Sequence, residues 1–178
     1  MSYLIKNRLK LIRRYVENKE VLDFGSVGSR DEEIFSEVKK ITKSIAGIDM
    51  QKPTKNKEIV QGNAETYNFK RKFDVVMMGD ILEHVSNQGL LLDNARRHLK
   101  PHGLLILTTP NLRSAWIFQR QREDHVLGHV KETLIQLLVR HKFKVRELRY
   151  YSGNKKYPFF ITPFILNRQF LVVAERAE

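Results

Sequence analysis

The sequence contains no cysteine, no internal repeat, no low-complexity segment and no long apolar run. The absence of cysteine excludes disulfides, cysteine nucleophiles, thiolate zinc sites and iron–sulfur clusters. No stretch approaches the roughly 18 apolar residues of a membrane span, and the nearest, 159–166, includes Thr162 and Pro163. The N-terminus is interrupted by charges throughout, which is not typical of a secretory signal. We therefore expect a soluble, cytoplasmic protein.

The length favours one domain. The chain has 178 residues, of which 42% are hydrophobic, enough to bury a core without covalent staples. We expect a single domain over 1–178 that begins with a basic amphipathic helix within 1–19. Two long connections, 111–128 and 152–167, are expected to cover a binding site, because long connections in compact domains are usually functional.

The charge is strongly positive and unevenly distributed. The formal net charge is +12 and the isoelectric point is near 10.0. Residues 1–20 carry a net charge of +4 and residues 110–156 carry +7, whereas residues 21–109 carry only +1. This asymmetry suggests an anionic partner, either a nucleic acid or a membrane surface, although exposed charge can also serve solubility alone.

The periodicity of apolar residues alternates between strand and helix. Helices are predicted at 3–17, after a capping box at Ser29–Glu32, at 87–99 and at 130–141. Strands are predicted at 21–24, 45–49, 58–62, 73–78, 104–109, 143–151 and 169–175. Unbroken apolar strands separated by helices indicate a mostly parallel sheet covered on both faces. The fold class is therefore α/β, with an open, doubly wound sheet.

In such a sheet, ligands bind beyond the carboxyl ends of the strands. Four predicted strands end there in short polar or glycine-containing segments, which are Asp23-Phe24-Gly25-Ser26-Val27-Gly28, Asp49-Met50, Gly62-Asn63-Ala64 and Gly79 to His84. The glycines permit tight turns, and the amides of the following helix favour an anionic group. An acid such as Asp49 suits ribose hydroxyls, and Asn63 suits the edge of a heterocycle. These segments together predict a nucleoside-like cofactor.

The glycine spacing argues against a dinucleotide-binding site. Counted from Gly25, the second and third glycines of G-x-G-x-x-G fall on Val27 and Arg30, and no P-loop motif occurs. A nicotinamide oxidoreductase is therefore a distant alternative.

The ordered motifs resemble class I S-adenosylmethionine-dependent methyltransferases over roughly 20–150. The longest match is Phe73-Asp74-Val75-Val76-Met77-Met78-Gly79-Asp80-Ile81-Leu82-Glu83-His84-Val85, and it continues through Lys100-Pro101-His102-Gly103 to Thr108-Thr109-Pro110-Asn111. The Leu-Glu-His-Val signature is most similar to the branch of ubiquinone-biosynthesis-type O-methyltransferases. The resemblance implies a Rossmann-like methyltransferase fold with an antiparallel last strand.

The resemblance also implies roles for individual residues. S-adenosyl-L-methionine would be the cofactor, and the matched positions would bind its amino-acid part (Asp23, Gly25, Ser26 and Gly28), its ribose (Asp49), its adenine (Met50, Asn63 and Ala64) and its sulfonium end (Gly79 and Asp80). Four positions depart from the family pattern. Val27 replaces the middle glycine of the first motif and could crowd the cofactor, and Ser29 replaces the last glycine of that motif. His102 precedes Gly103 where a second glycine is common, and Lys142 replaces a helix-ending glycine.

Histidines and aromatic residues supply further candidates. His84 follows the fourth strand and is the candidate general base, or else it caps the next helix. His125 and His129 are four residues apart, but Gly128 between them and the lack of a third ligand disfavour a metal site. Aromatic residues in or beside the long connections would either contact an apolar acceptor, a membrane or nucleic-acid bases, or close the core; they are Trp116, Phe118, Tyr150, Tyr151, Tyr157, Phe159, Phe160 and Phe164.

We conclude that the sequence predicts a methyltransferase that transfers a methyl group in line to an unidentified acceptor, with an oxygen acceptor as the first hypothesis. Two alternatives from other classes remain open. The charge favours an RNA-binding or RNA-modifying protein, and the replaced glycines are compatible with a non-catalytic interaction module.

Overall fold

The structure of the protein, a computed structural model, describes residues 3–28, 31–114, 126–151 and 169–178. Four helices lie in these ranges: α1 (Tyr3–Val16), α2 (Asp31–Lys39), α3 (Gln88–His98) and α4 (Lys131–Arg140). Seven strands accompany them: β1 (Glu20–Phe24), β2 (Ser44–Asp49), β3 (Ile59–Gln61), β4 (Phe73–Gly79), β5 (Leu99–Pro110), β6 (Phe143–Tyr151) and β7 (Gln169–Arg176).

The seven strands form one sheet in the order β3-β2-β1-β4-β5-β7-β6. The strands from β3 to β5 pair in parallel, while β7 lies antiparallel to both β5 and β6. This arrangement confirms the predicted doubly wound, mostly parallel sheet with an antiparallel last strand. The direction in which successive strands are added to the sheet reverses between β1 and β4. Because β1, β2 and β4 run parallel, their carboxyl ends lie at the same edge of the sheet.

Each face of the sheet is covered by helices and carries its own apolar cluster. Side chains of α3 and α4, such as Leu91 and Leu138, pack with Phe24 and Met78 on one face. On the other face α1 and α2 cover a second cluster, listed here in part: Ile5, Ile12, Val16, Ile34, Phe35, Val75, Met77, Ile106, Leu171 and Val173. Full burial of each large apolar side chain contributes about 1.5–3 kcal/mol.

Helix α1 shows how the sequence pattern produces this packing. Ile5, Ile12 and Val16 recur at helical spacing and are fully or almost fully buried, whereas Lys6 and Lys10 are exposed. The helix ends before Asn18, which adopts a left-handed φ of 57° and donates its backbone N–H to the Ile41 carbonyl at 2.9 Å. Helix α1 thereby lies firmly against the sheet, with one charged side facing solvent.

The predicted element boundaries hold to within about one to two residues except at β5. This strand begins at Leu99, earlier than the predicted 104, because Phe73 already pairs with Leu99 before the register shifts. The capping box at Ser29 and most of the connections 111–128 and 152–167 lie outside the described residues. No described helix has both the length and the apolarity needed to cross a membrane.

Two of the replaced glycines occupy left-handed backbone positions. His102 has a φ of 58° and Lys142 has a φ of 62°, a region that favours glycine. The departures noted in the sequence therefore carry a backbone cost at these two turns.

Candidate functional site

The turn after β1 is held by main-chain hydrogen bonds. Gly25 has a φ of 80° and donates its N–H to the Ile48 carbonyl at 2.9 Å. A Cβ at Gly25 would lie only 3.1 Å from Ile81, so the turn also leaves no room for a side chain. Ser26 is buried and donates its hydroxyl to the Asp23 carbonyl at 2.9 Å. The result is a rigid turn with its backbone exposed toward the end of the sheet.

Asp49 connects this turn to the end of β2. Its Oδ2 accepts the backbone N–H of Val27 at 2.9 Å, and its Oδ1 accepts the backbone N–H of Gln51 at 2.8 Å. Each carboxylate oxygen retains acceptor capacity for a further donor such as a hydroxyl. The carboxylate is thus fixed in place and still able to accept from a ribose.

Val27 stands in place of the middle glycine of the family motif. Its side chain packs against the apolar cluster of the α1–α2 face. Whether it crowds a cofactor is tested by the binding measurements proposed below. Ser29, the other replaced glycine of this motif, lies outside the described residues.

The residues predicted to contact adenine lie beside Asp49. Met50 is 69% exposed and directly follows the acid. Gly62 donates its N–H to the Asp49 carbonyl at 2.8 Å, which brings the next turn alongside. Asn63 Oδ1 accepts the Glu65 N–H at 2.8 Å, so this side chain stabilises its own turn. The carbonyl of the buried Ala64 accepts a hydrogen bond from Asn94 Nδ2 at 2.7 Å.

The turn after β4 is held by side chains instead. Asp80 adopts a φ of 51° and pairs with Arg8 of α1. Its Oδ1 accepts hydrogen bonds from Thr108 Oγ1 and Gln169 Nε2, both at 3.0 Å. The strained backbone and three donors from separate elements fix this carboxylate at the end of β4.

Sequence reasoning missed Arg8. Its side chain is 4% exposed although it belongs to a surface helix. The signal was present in the spacing, because Arg8 falls on the same helical stripe as Ile5 and Ile12. A cation on a buried stripe requires an anionic partner, and Asp80 is that partner.

Glu83 was also given no chemical role from the sequence. It is 2% exposed, and its Oε2 accepts a hydrogen bond from Thr109 Oγ1 at 3.1 Å. Burial, together with the adjacent negative charge of Asp80, raises the pKa of Glu83 to about 8. Its carboxyl group is therefore largely protonated at neutral pH, and only the fold, not the sequence pattern, identifies this environment.

A small pocket, partly open to solvent, lies between these two turns and helix α1. It is lined by Arg8, Ile12, Asp23, Gly25, Ile34, Met77, Met78, Gly79, Ile106 and Thr108. Three of the predicted site residues, Asp23, Gly25 and Gly79, thus lie together. Arg8 and Asp23 give the pocket one positive and one negative side chain.

The histidines have different environments. His84 is exposed on the turn after β4, where its N–H donates to the Ile81 carbonyl at 2.9 Å. His129 is buried, its Nε2 lies 3.0 Å from Gln88 Oε1, and burial lowers its pKa. Packing therefore accounts for His129, and His125 lies outside the described residues. The part of the chain that the structure describes contains no cluster of three metal-ligating side chains.

The fold is that of a Rossmann-like methyltransferase. Residues 2–148 match a methyltransferase domain family. A methyltransferase from Archaeoglobus fulgidus described as SAM-dependent has a TM-score of 0.73 at 18% identity, over 97% of this chain and 93% of that one. The N-methyltransferase NodS from Bradyrhizobium japonicum, solved with S-adenosyl-L-homocysteine, has a TM-score of 0.68 at 15% identity, over 99% and 89% of the two chains.

A curated relative, the ubiquinone biosynthesis O-methyltransferase of Rickettsia canadensis, is 31% identical over 72 residues, which are 40% of this chain and 30% of the relative. The chain spans about a third of the length of the curated relatives it matches. The family match covers most of the chain, so the protein belongs to the methyltransferase domain family. The methyltransferase family that the sequence predicted is therefore confirmed.

Proposed function

We propose that the protein transfers a methyl group from S-adenosyl-L-methionine to an oxygen atom of a small acceptor. The observation that carries the proposal is the pocket at the carboxyl ends of β1 and β4, which pairs an exposed, rigid glycine turn with oppositely charged side chains. The partial likeness to ubiquinone biosynthesis O-methyltransferases supports oxygen as the acceptor atom.

The cofactor binds with its amino-acid part in this pocket. Its carboxylate and ammonium groups are complementary to Arg8 and Asp23, both of which line it. The turn formed by Gly25, Ser26 and Gly28 supplies backbone contacts, because Gly25 adopts the left-handed φ of 80° that the turn requires.

The nucleoside part lies along the neighbouring turns. Asp49, fixed by the N–H groups of Val27 and Gln51, accepts from the ribose hydroxyls. Met50 covers one face of the adenine, and the turn containing Asn63 and Ala64 contacts its edge. The cofactor supplies an electrophilic methyl group on a sulfonium, and Gly79 and Asp80 face this end.

The protein contributes alignment more than acid–base chemistry. Methyl transfer from a sulfonium is a displacement with a good leaving group, so proximity and orientation supply most of the rate enhancement. The ionised Asp80 favours a cation beside it, while the largely protonated Glu83 adds little negative charge. His84, exposed on the same turn, is the candidate base for the acceptor hydroxyl proton.

The acceptor class is tested with methyl-labelled S-adenosyl-L-methionine and a panel of phenols, carboxylic acids, primary amines and short RNAs. We expect label transfer to a phenol, reduced in His84→Gln mainly through kcat. Transfer only to amines or RNA would overturn oxygen as the acceptor. Cofactor binding without turnover on any acceptor would favour the non-catalytic interaction module.

A further inference from the structure

We propose that an exposed basic surface formed by α1 and the edge strand β6 binds the phosphate backbone of a nucleic acid. This α1–β6 surface comprises seven exposed basic residues: Lys6, Lys10, Arg13, Arg14, Lys144, Arg146 and Arg149. It lies outside the cofactor pocket, and the proposal concerns binding alone, independently of methyl transfer.

Direct contacts join the two elements into one surface. Arg14 Nη2 lies 2.6 Å from Glu147 Oε2, and the Tyr15 hydroxyl donates to the same oxygen at 2.5 Å. Glu147 pairs in register with Val173, and Arg149 with Leu171, and both partners belong to the apolar cluster beneath α1. The charged residues of β6 therefore share the face of the sheet that α1 covers.

The acidic groups on this surface are already neutralised. Glu147 pairs with Arg14 and Arg149, and Glu17 pairs with Arg13 at 2.8 Å. Glu175 on β7 accepts two N–H groups of Arg146, at 2.8 and 2.6 Å, and lies 3.0 Å from His102 Nδ1. These pairs leave the surface with a net excess of positive charge.

Three lysines supply the excess. Within the described residues no carboxylate lies at ion-pair distance from Lys6, Lys10 or Lys144. The arginines retain exposure as well, since the side chains of Arg13 and Arg14 are 61% and 58% exposed. Uncompensated, accessible cations on two adjoining elements form an electrostatic site for a polyanion.

The distribution of apolar side chains favours a nucleic acid over a bilayer. A helix at a membrane surface buries its apolar face in lipid, but the apolar face of α1 is already buried against the sheet. The large apolar side chains that are exposed in the described residues all lie on other elements: Met50, Tyr67, Leu90, Val126, Leu127 and Val139. Among the side chains of α1 and β6 that the structure describes, the α1–β6 surface therefore offers charge without an inserting group.

The dimensions of the surface suit a phosphate backbone. Lys6 to Arg13 span about 10 Å along a helix, and Lys144 to Arg149 span about 16 Å along a strand. These lengths cover several successive phosphates, and arginine forks match phosphate oxygens. The first helix also carries Arg8 into the cofactor pocket, so a bound strand lies next to the site of methyl transfer.

The test is fluorescence anisotropy with labelled single-stranded RNA and DNA of about 20 nucleotides, from about 50 to 200 mM salt. The variant Lys6→Gln/Lys10→Gln/Lys144→Gln removes the three unpaired lysines. We expect its affinity to fall at least tenfold and its log–log salt slope to decrease by about 2, since each phosphate contact on a single strand contributes roughly 0.7. A matched control, Lys55→Gln/Lys57→Gln/Lys131→Gln, removes equal charge near the opposite sheet edge and on α4, and is expected to bind like the wild type.

Three results would overturn the proposal. They are no binding by the wild type, equal losses in both triple variants, and capture by phosphatidylglycerol vesicles that depends on the three lysines while RNA and DNA do not bind. Titration with S-adenosylhomocysteine separates these outcomes from the proposed cofactor site. The triple variants should keep their cofactor affinity, and a variant of Asp49 should keep its affinity for nucleic acid.

Discussion

The turns after β1 and β2 share an edge of the sheet with the turn after β4, but different kinds of bonds hold them. At the first two turns, backbone N–H groups fix both the Gly25 turn and the Asp49 carboxylate. At the turn after β4, Asp80 and Glu83 are held by side chains from α1, β5 and β7. Main-chain hydrogen bonds therefore fix the first two turns, whereas the turn after β4 depends on interactions between polar and charged side chains.

The largest effect on the free energy of unfolding is expected when Glu83 is replaced by glutamine, which cannot ionise. Below about pH 4.5 the folded and unfolded states both hold this proton; between pH 4.5 and about 8 only the folded state does, so wild-type stability falls as pH rises. Glu83→Gln avoids this loss and should gain on the wild type by about 4 kcal/mol from pH 4.5 to 8.5. Urea unfolding across this range measures it, with the exposed Glu132→Gln as control. Parallel curves for wild type and Glu83→Gln would contradict the proposed environment.

Removing Arg8 should have the next largest effect. Arg8→Met leaves Asp80 with only Thr108 and Gln169 among the donors described above, and we expect a loss of about 2 kcal/mol in unfolding free energy because the pair is buried. Arg13→Met removes an exposed pair with Glu17 on the same helix and should cost at most about 0.5 kcal/mol. If chemical denaturation showed equal losses of unfolding free energy in Arg8→Met and Arg13→Met, the turn after β4 would not depend on the charge of Arg8.

The backbone of the first turn is tested at Gly25. Gly25→Ala places a Cβ 3.1 Å from Ile81 at a φ of 80°, so we expect about 1.5 kcal/mol of destabilisation and at least a tenfold loss of affinity for S-adenosylhomocysteine. Gly89→Ala in α3, away from the proposed cofactor site, is the matched control, because its Cβ would lie 3.0 Å from His141 at an ordinary φ. If Gly25→Ala bound the ligand like the wild type, close backbone approach at this turn would be excluded.

The smallest effect is expected at turns far from the site. Lys142→Gly relieves a φ of 62° and should raise the unfolding free energy by about 0.5 kcal/mol, after the extra entropy of glycine in the unfolded chain. His102→Gly relieves a φ of 58° but loses the contact with Glu175, so its gain should be smaller. Thermal unfolding measures both; destabilisation of Lys142→Gly would show that its side chain has a packing role.

The fold could be predicted almost completely because the two sequence patterns that indicate it, apolar runs and helical spacing, are local. Apolar runs such as Phe73 to Met78 mark buried strands, and the spacing of Ile5, Ile12 and Val16 marks a helix. The extension of β5 back to Leu99 could not be predicted, since it depends on pairing with Phe73 across the sheet.

The residues at the turns after β1 and β2 could be predicted from the sequence, whereas the contacts at the turn after β4 could not. Asp23 and Asp49 lie at the ends of strands and Gly25 directly follows one, so sequence order and topology bring them to one edge. The partnership of Arg8 with Asp80 spans 72 positions, and the burial of Glu83 arises from elements that meet only in the folded chain. The spacing that places Arg8 on the buried stripe of α1 was missed, and it could not have identified the partner.

The central claim is that the Asp49 turn binds the methyl donor, and calorimetric titration with S-adenosylhomocysteine tests it most directly. The wild type and the control Asp93→Ala, which removes a partly exposed carboxylate beside His141, should bind one equivalent. Asp49→Ala should remain folded, as judged by cooperative unfolding, and lose at least about 100-fold in affinity, or roughly 2.7 kcal/mol. Absence of binding to the wild type, or unchanged binding to Asp49→Ala, would contradict the account.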